Sequence, residues 1–471
     1  MDQTRRCPAL PDEIMADEIF ARLPAKSVLA CRCLSHAWAA ALSSDDFIDR
    51  YHTLHRGRLK ILRLHDEARS CNGDAPPTGT PVAISGECFP CPVNMFCWEG
   101  CYTYPVAVTT QCRGLVILQL SPMGMAYVCN PSTGQKIELP EGRTTGRINW
   151  MHEYASLGLG YDVRARRHKV VLIKYRGCDG EGRPAFAWCE VYLLNGGSAQ
   201  VWRPVRAKPP GWVKRGDKSA FAQGHVYWVA YRKHDLHDGY LGSKEALIVS
   251  FSVCEETFAT VPPPPGMDGE TLCKQCVTVL AGRLCLFSGY PNYEQGYDVW
   301  LLRESTAWDL YCRIDPATAS PEVNRFLGTL YGMQCVTISP LAIIDDGRRI
   351  LLAKTEFPDK ICAYTPLTGD IENILDFQSL QTLDTEPFEF AVYEESIATL
   401  GRQASKDIVL TSSPSTQALS LVLRLLPERT LRRLMCVCRS WRTIIAIDLC
   451  CRAQGHSSHY GRRTQGKELL F

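Results

Sequence analysis

The feature that most constrains this 471-residue chain is a recurrence. Short apolar strands alternate with tight turns across its middle, in a repeated pattern of strand, turn, strand. The turns are Asn130-Pro131-Ser132-Thr133-Gly134, Asn195-Gly196-Gly197, Cys254-Glu255-Glu256, Glu304-Ser305-Thr306 and Thr365-Pro366-Leu367-Thr368-Gly369. They return roughly every 50 to 65 residues, and the first and last are near copies of each other. Glycine opens several of the strands between them, as in Gly224-His225-Val226-Tyr227-Trp228, Gly282-Arg283-Leu284-Cys285-Leu286 and Gly347-Arg348-Arg349-Ile350-Leu351-Leu352. No helical pattern of about 10–15 residues separates the strands, which argues against a parallel α/β sheet. A sandwich would need more than one copy to use so many strands. A ring of four-stranded blades grows laterally, buries its strands and leaves few edges open. The expected fold is therefore mainly β with helical termini: a β-propeller of about six or seven blades over residues 58–396, between helical segments at 8–50 and 413–448.

Residues 10 to 48 read as three short helices. Leu10-Pro11-Asp12-Glu13 is a helix start, with proline in the first turn and acids at the positive end of the dipole. Ile14, Met15, Ile19, Phe20 and Leu23 collect on one face, and Pro24 ends the helix because it has no N–H to donate. A second helix runs from Lys26 to Cys33 with Val28, Leu29 and Cys31 apolar. Ser35 caps a third that carries Trp38 and Leu42 and ends near Asp45-Asp46-Phe47. So short a segment buries little surface by itself, so Leu10, Pro11, Ile14 and Val28 gain most from being covered. Periodicity alone favours a helical cap on the larger domain over a docking surface.

The residues say more. Leu10-Pro11-Asp12-Glu13-Ile14, Ile19-Phe20-Ala21-Arg22-Leu23-Pro24-Ala25-Lys26-Ser27-Val28 and Cys33-Leu34-Ser35-His36-Ala37-Trp38 closely resemble the F-box motif, with its opening Leu-Pro, its Leu-Pro-x-Lys-Ser turn and its closing Trp. Ala37 stands where that family usually has Ser, and either small residue fits a helix. The resemblance implies docking onto a Skp-type adaptor and, through it, a cullin scaffold. It assigns the contact to Leu10, Pro11, Ile14, Ile19, Leu23, Pro24, Val28, Leu29 and Trp38. In the middle of the chain, Val128-Cys129-Asn130-Pro131-Ser132-Thr133-Gly134, Gly160-Tyr161-Asp162 and Ile248-Val249-Ser250-Phe251-Ser252-Val253 resemble the F-box-associated, kelch-like domain of plant F-box proteins.

Near the C-terminus, Leu426-Pro427-Glu428-Arg429-Thr430-Leu431 and Cys436-Val437-Cys438-Arg439-Ser440-Trp441 repeat the Leu23-Pro24 to Trp38 pattern. This second, partial copy has Ser413-Pro414-Ser415-Thr416 in place of the Leu10-Pro11-Asp12-Glu13 opening, so both the apolar anchor and the acidic first turn are missing. It is expected to be a relict helix hairpin and not a second docking site.

Other chemistry is harder to find. A net charge of +2 gives no electrostatic hold on nucleic acid or anionic lipid. The N-terminal segment has no apolar run of the secretory type, and no stretch approaches the ~18 residues a membrane span needs. The expectation is an intracellular protein, cytoplasmic or nuclear. The 23 cysteines lie scattered through apolar strands and read as reduced thiols. Cys88, Cys91, Cys97 and Cys101 are spaced like two metal half-sites, but the short gap and Pro90 and Pro92 favour a loop with free thiols. Cys273 and Cys276 lack the βαβ setting of a redox pair. Arg164 to Lys169 reads as a solvated hairpin turn, and Trp188, Trp202, Trp212, Trp228, Trp300 and Trp308 read mostly as core, with anchoring of a partner the sharper alternative. No nucleophile elbow, phosphate loop or His-Glu-x-x-His helix is present, so no cofactor and no metal are expected. The reading is a non-catalytic substrate-recognition subunit of a Skp–cullin–F-box ubiquitin ligase whose propeller binds an unknown protein substrate. A propeller-based binding module acting outside a ligase and a kelch-like oxidase are the alternatives.

Overall fold

The computed structural model describes residues 15–32, 36–64, 104–121, 125–140, 153–178, 184–195, 201–213, 218–232, 246–273, 275–288, 296–303, 307–315, 317–327, 337–355, 360–376, 389–401, 442, 445 and 446. The chain divides into two compact units, residues 1–54 with 412–471 and residues 55–411.

In the first unit, a π-helical turn (Met15–Ile19) runs into a 3₁₀ turn (Phe20–Arg22). Leu23 is extended ahead of Pro24, as the proline ring requires. The Pro24 carbonyl then accepts from the Ser27 and Val28 amides and opens α1 (Ala25–Cys31). The next helix is α2 (His36–Ala41). Asp45-Asp46-Phe47, expected to end the third helix, instead starts a fourth, α3 (Asp45–His55). Its start follows from local chemistry: the Ser44 hydroxyl accepts from the Phe47 amide at 3.2 Å, and two aspartates sit in the first turn.

The second unit opens with β1 (Leu59–Leu64). Blade 1 is β2 (Tyr104–Ala107), β3 (Val116–Ser121), β4 (Ala126–Asn130) and β5 (Gln135–Glu138). Blade 2 is β6 (Glu153–Asp162), β7 (Arg167–Cys178), β8 (Pro184–Leu193) and β9 (Arg203–Val205). Blade 3 is β10 (Trp212–Val213), β11 (Ala220–Ala222), β12 (His225–Tyr231), β13 (Ala246–Ser252) and β14 (Thr257–Val261), with β10 and β11 both paired to β12. The short helix α4 (Gly269–Cys273) leads to blade 4, which is β15 (Gln275–Leu280), β16 (Arg283–Ser288), β17 (Tyr297–Leu302) and β18 (Trp308–Ile314). After α5 (Pro321–Leu327), blade 5 is β19 (Thr337–Ile344), β20 (Arg349–Thr355), β21 (Lys360–Thr365) and β22 (Asp370–Asp376). Finally β23 (Glu389–Glu394) returns to pair antiparallel with β1, from Leu59 opposite Glu394 to Leu64 opposite Glu389.

Strand periodicity closes the ring. Within β3, Leu118 and Val116 face the β1–β23 sheet, packing near Leu62 and Tyr393, while Ile117 faces blade 2 with Leu159 and Val170. Blade 2 meets blade 3 through Val171, Ile173, Val226 and Trp228, and blade 3 meets blade 4 through Ile248, Leu284 and Leu286. Blade 4 meets blade 5 through Val299, Ile338 and Ile350, and blade 5 returns to Ile61 and Phe390 through Leu351 and Ile361. The ring of described strands thus has five blades, where six or seven were expected. Among the described residues, the sixth position holds the two-stranded sheet built from both ends of the unit. Dividing length by period overcounts because connections take up residues unevenly and because β1 and β23 are too far apart in the chain to register as one repeat.

Candidate functional site

The helical unit carries the residues assigned to an adaptor. Leu10, Pro11 and Ile14 lie outside the described residues. Phe20 is buried and meets the Trp38 ring edge to face, with centroids 4.9 Å apart. Leu23 and Val28 are buried at 3% and 0% exposure, while Ile19, Pro24, Leu29 and Trp38 are half-buried. The buried Tyr51 hydroxyl donates to the Leu23 carbonyl at 2.9 Å, tying α3 to the Leu23-Pro24 corner. Arg32 donates twice to the Leu42 carbonyl, at 3.2 and 2.7 Å, and burial lowers its pKa to about 10. Arg50 pairs with Asp17 at 3.0 Å and Arg22 with Glu18 at 2.9 Å on the exposed side.

In the propeller unit, β6, β11, β15 and β19 of blades 2 to 5 lie in sequence against one another around the axis. Each blade's first-to-second and third-to-fourth turns therefore share a face, as the antiparallel order requires. One device on that face is a strap, Glu395–Leu400, that follows β23. Asn130, fully buried in the Asn-Pro-Ser-Thr-Gly turn, donates from Nδ2 to the Ser396 and Ala398 carbonyls at 3.1 and 2.8 Å. Its Oδ1 accepts from the Ser132 amide at 3.0 Å, which shapes the turn, and the Ser396 amide donates to the Ser132 hydroxyl at 3.0 Å. Asn195 donates to the Thr399 carbonyl, so the strap also reaches blade 2. Upstream, Glu394 accepts from the Gly57 amide at 2.9 Å and Glu395 from Lys60 at 2.9 Å, locking the end of β23 to the start of β1.

The second device joins blades 2 and 3. Lys169, buried on β7, contacts Asp162 at 2.7 Å and Glu256 at 2.9 Å and donates to the Val253 carbonyl at 2.9 Å. Arg203 reaches Glu256 from the exposed side. Burial pushes the Asp162 carboxyl up, but hydrogen bonds from Lys169, the Ala165 amide and Cys254, together with the Lys169 charge, bring it down to about 2. At Glu256 hydrogen bonds from Arg203 and Lys169 outweigh burial and lower the pKa, and at Lys169 the bonds to Asp162 and Glu256 outweigh burial and raise it. The expected solvated turn is therefore half right: Arg164 is exposed and pairs with Glu255, whereas Lys169 is an interior ion-pair partner.

The other candidates behave as core. Trp202, Trp212, Trp228 and Trp308 are buried, and Trp188 and Trp300 are half-buried. Burial pushes Cys189 and Cys312 up to about 12, and Cys112 and Cys285 upward too, which keeps these thiols protonated near neutral pH. Cys88, Cys91, Cys97 and Cys101 lie outside the described residues. So does the C-terminal F-box-like segment, apart from Arg442, Ile445 and Ala446. Among the described residues no cluster of His, Cys, Asp and Glu could hold a metal ion, and no helix is long and apolar enough to cross a membrane.

Comparison with known proteins agrees with this architecture. Residues 96–327 match the model of the F-box associated beta propeller domain, and residues 8–50 and 416–452 each match the model of the F-box domain. The F-box protein CPR1 of Arabidopsis thaliana is 26% identical over 375 residues, covering 73% of this chain and 79% of that protein. The F-box protein DOR of the same plant is 27% identical over 260 residues, covering 52% of this chain and 59% of that protein. The chain belongs to the plant-type F-box proteins that carry an F-box-associated β-propeller domain.

Proposed function

We propose that the chain is the substrate-recognition subunit of a Skp–cullin–F-box ubiquitin ligase, acting in the cytoplasm or nucleus without chemistry of its own. The observation that carries this reading is the pairing, in one chain, of an F-box with a propeller closed on itself by β1 and β23. The helices dock the Skp-type adaptor and, through it, the cullin. The propeller offers a rigid scaffold whose loops hold a protein substrate. The gain is proximity: a substrate held beside a charged conjugating enzyme reacts at high effective concentration.

The test is a pull-down of full-length protein with adaptor and cullin. Replacing Leu10 and Pro11 by Ala removes two apolar anchors worth roughly 1.5–3 kcal/mol each when buried, so adaptor binding should fall at least about tenfold. The melting temperature of the propeller should not change. Unchanged adaptor retention by the double mutant would refute the docking assignment, and wild-type protein that retains no cullin would point to a binding module outside a ligase.

A further inference from the structure

Between blades 3 and 4 the chain runs Val261-Pro262-Pro263-Pro264-Pro265-Gly266, all within the described residues. Its conformation follows from its sequence. Each ring fixes φ at about −65°, and each proline excludes the helical region for the residue before it. Pro262, Pro263 and Pro264 each precede another proline, so all three are driven to polyproline II. The run then closes in the arrangement of a type II turn: the Met267 amide donates to the Pro264 carbonyl at 3.1 Å, and Gly266 takes φ +79°. Pro265, at the second position of that turn, is extended as well.

Both ends of the run are tied to the fold. Trp308 of blade 4 donates from Nε1 to the Pro262 carbonyl at 2.8 Å. Beyond the turn, the Thr271 amide donates to Asp268 Oδ1 at 2.8 Å and caps α4. Exposure follows the three-residue period of polyproline II: Pro262, Pro263 and Pro265 are exposed and Pro264 is buried. Pro262 and Pro265 thus share one edge, one turn or about 9 Å apart, Pro263 stands on a second, and Pro264 seats the third on the propeller. Among the described residues no hydrogen bond reaches the Pro263 or Pro265 carbonyl. Ending β14 takes one proline, and the turn takes another. Neither need calls for an unbroken run of four with three rings in solvent.

We propose that residues 262–265 form a docking ridge for a partner protein whose domain reads polyproline II through an aromatic-lined groove. Such a groove packs proline rings against aromatic side chains, and its indole or phenol donors bond the carbonyls between them. The ridge presents both: rings along two edges, and the Pro263 and Pro265 carbonyls. With Pro264 turned to the propeller, the two outward edges are the ones left for a groove. The prolines and the ties at each end hold the run in its binding shape, so docking costs little conformational entropy. The neighbouring strand β14, Thr257 to Val261, carries no charged side chain, so an apolar groove meets no charge to desolvate there. Docking at the ridge is independent of the ligase function proposed above.

The test titrates the full-length protein, by biolayer interferometry, with a purified SH3 domain, a purified WW domain and a purified EVH1 domain. At least one should bind, and an excess of a proline decapeptide should displace it where a glycine–serine decapeptide does not. Pro262→Ala with Pro265→Ala removes the shared outward edge and should weaken that binding at least about tenfold. The competition uses wild-type protein, so it decides the matter even if the double variant fails to fold. Binding by none of the domains, binding that the proline decapeptide leaves in place, or unchanged binding by a folded double variant would overturn the proposal. Adaptor retention in the pull-down above does not enter this measurement, so the ridge and the ligase reading fail separately.

Discussion

Gly160 sits in the middle of the blade 2–blade 3 interface, and replacing it tests whether that interface is as tight as the packing implies. A Cβ built there would lie 2.4 Å from Val253 Cγ2 and 3.2 Å from the Phe221 ring. Both distances are shorter than carbon contacts at their optimum. The backbone at Gly160 is ordinary strand, so the glycine is required by space and not by conformation. Gly160→Ala should therefore cost about 1–3 kcal/mol from overpacking, less the ~0.4–1 kcal/mol by which alanine restricts the unfolded chain. Val253→Ala, at a fully buried position, removes two methyl groups and should cost roughly 2 kcal/mol. The double mutant puts the new methyl where the old ones were, so it should resemble Val253→Ala alone and leave a favourable coupling of about 1–3 kcal/mol. Thermal melts of the four proteins read this as shifts of a few degrees. If Gly160→Ala melts at or above wild type, or the two changes simply add, the close approach of the blades is refuted.

Two further outcomes follow from the polar devices. Asp162 has a folded pKa of about 2, below its ordinary 3.8, so its contribution is present above pH 4 and disappears as pH falls from about 4 to 2. Melting temperature measured across that window should drop more steeply for wild type than for Asp162→Asn, and parallel slopes would count against the ion pair. Asn130→Ala removes two donated bonds to the strap and the acceptor of the Ser132 amide at a fully buried position, which should cost roughly 2–3 kcal/mol. Hydrogen exchange should quicken first at Ser396 and Ala398, and a uniform change across the propeller would show that the strap is not held there.

The sequence disclosed the blades but not what joins them. The Asn130–Gly134 and Thr365–Gly369 turns, recognised by residue type, do link third to fourth strands, in blades 1 and 5. Turn chemistry is local, and that is why it could be read. The pairing of Leu59 with Glu394 left no mark, because strand pairing over hundreds of residues depends on geometry that only the assembled ring supplies. The strap lacks any periodicity, since its polar groups are satisfied by Asn130 and Asn195 and not by a ladder. Ser44-Asp45-Asp46 carries a local signal, because a cap followed by acids opens a helix, and α3 starts where Asp45-Asp46-Phe47 is expected to end one. The break at Pro24 is legible because the effect of a proline on the residue before it is steric and immediate. The docking residues rest on resemblance, and of the described ones Leu23 and Val28 lie inside while Ile19, Pro24, Leu29 and Trp38 lie nearer the surface.

The β1–β23 pairing also dictates when this protein can finish folding. Leu59 is made early and Glu394 comes 335 residues later, so at about 5–20 residues per second β1 waits on the order of half a minute for its partner. During that interval five blades can collapse in order, each on the one before, while an open edge of Val116, Leu118 and Tyr127 faces solvent on one flank and Leu351, Ala353 and Ile361 on the other. Such non-local closure makes the last step slow and the nascent ring prone to joining a second copy edge to edge. A chain ending just before Glu389 would keep every complete blade and still be unable to close.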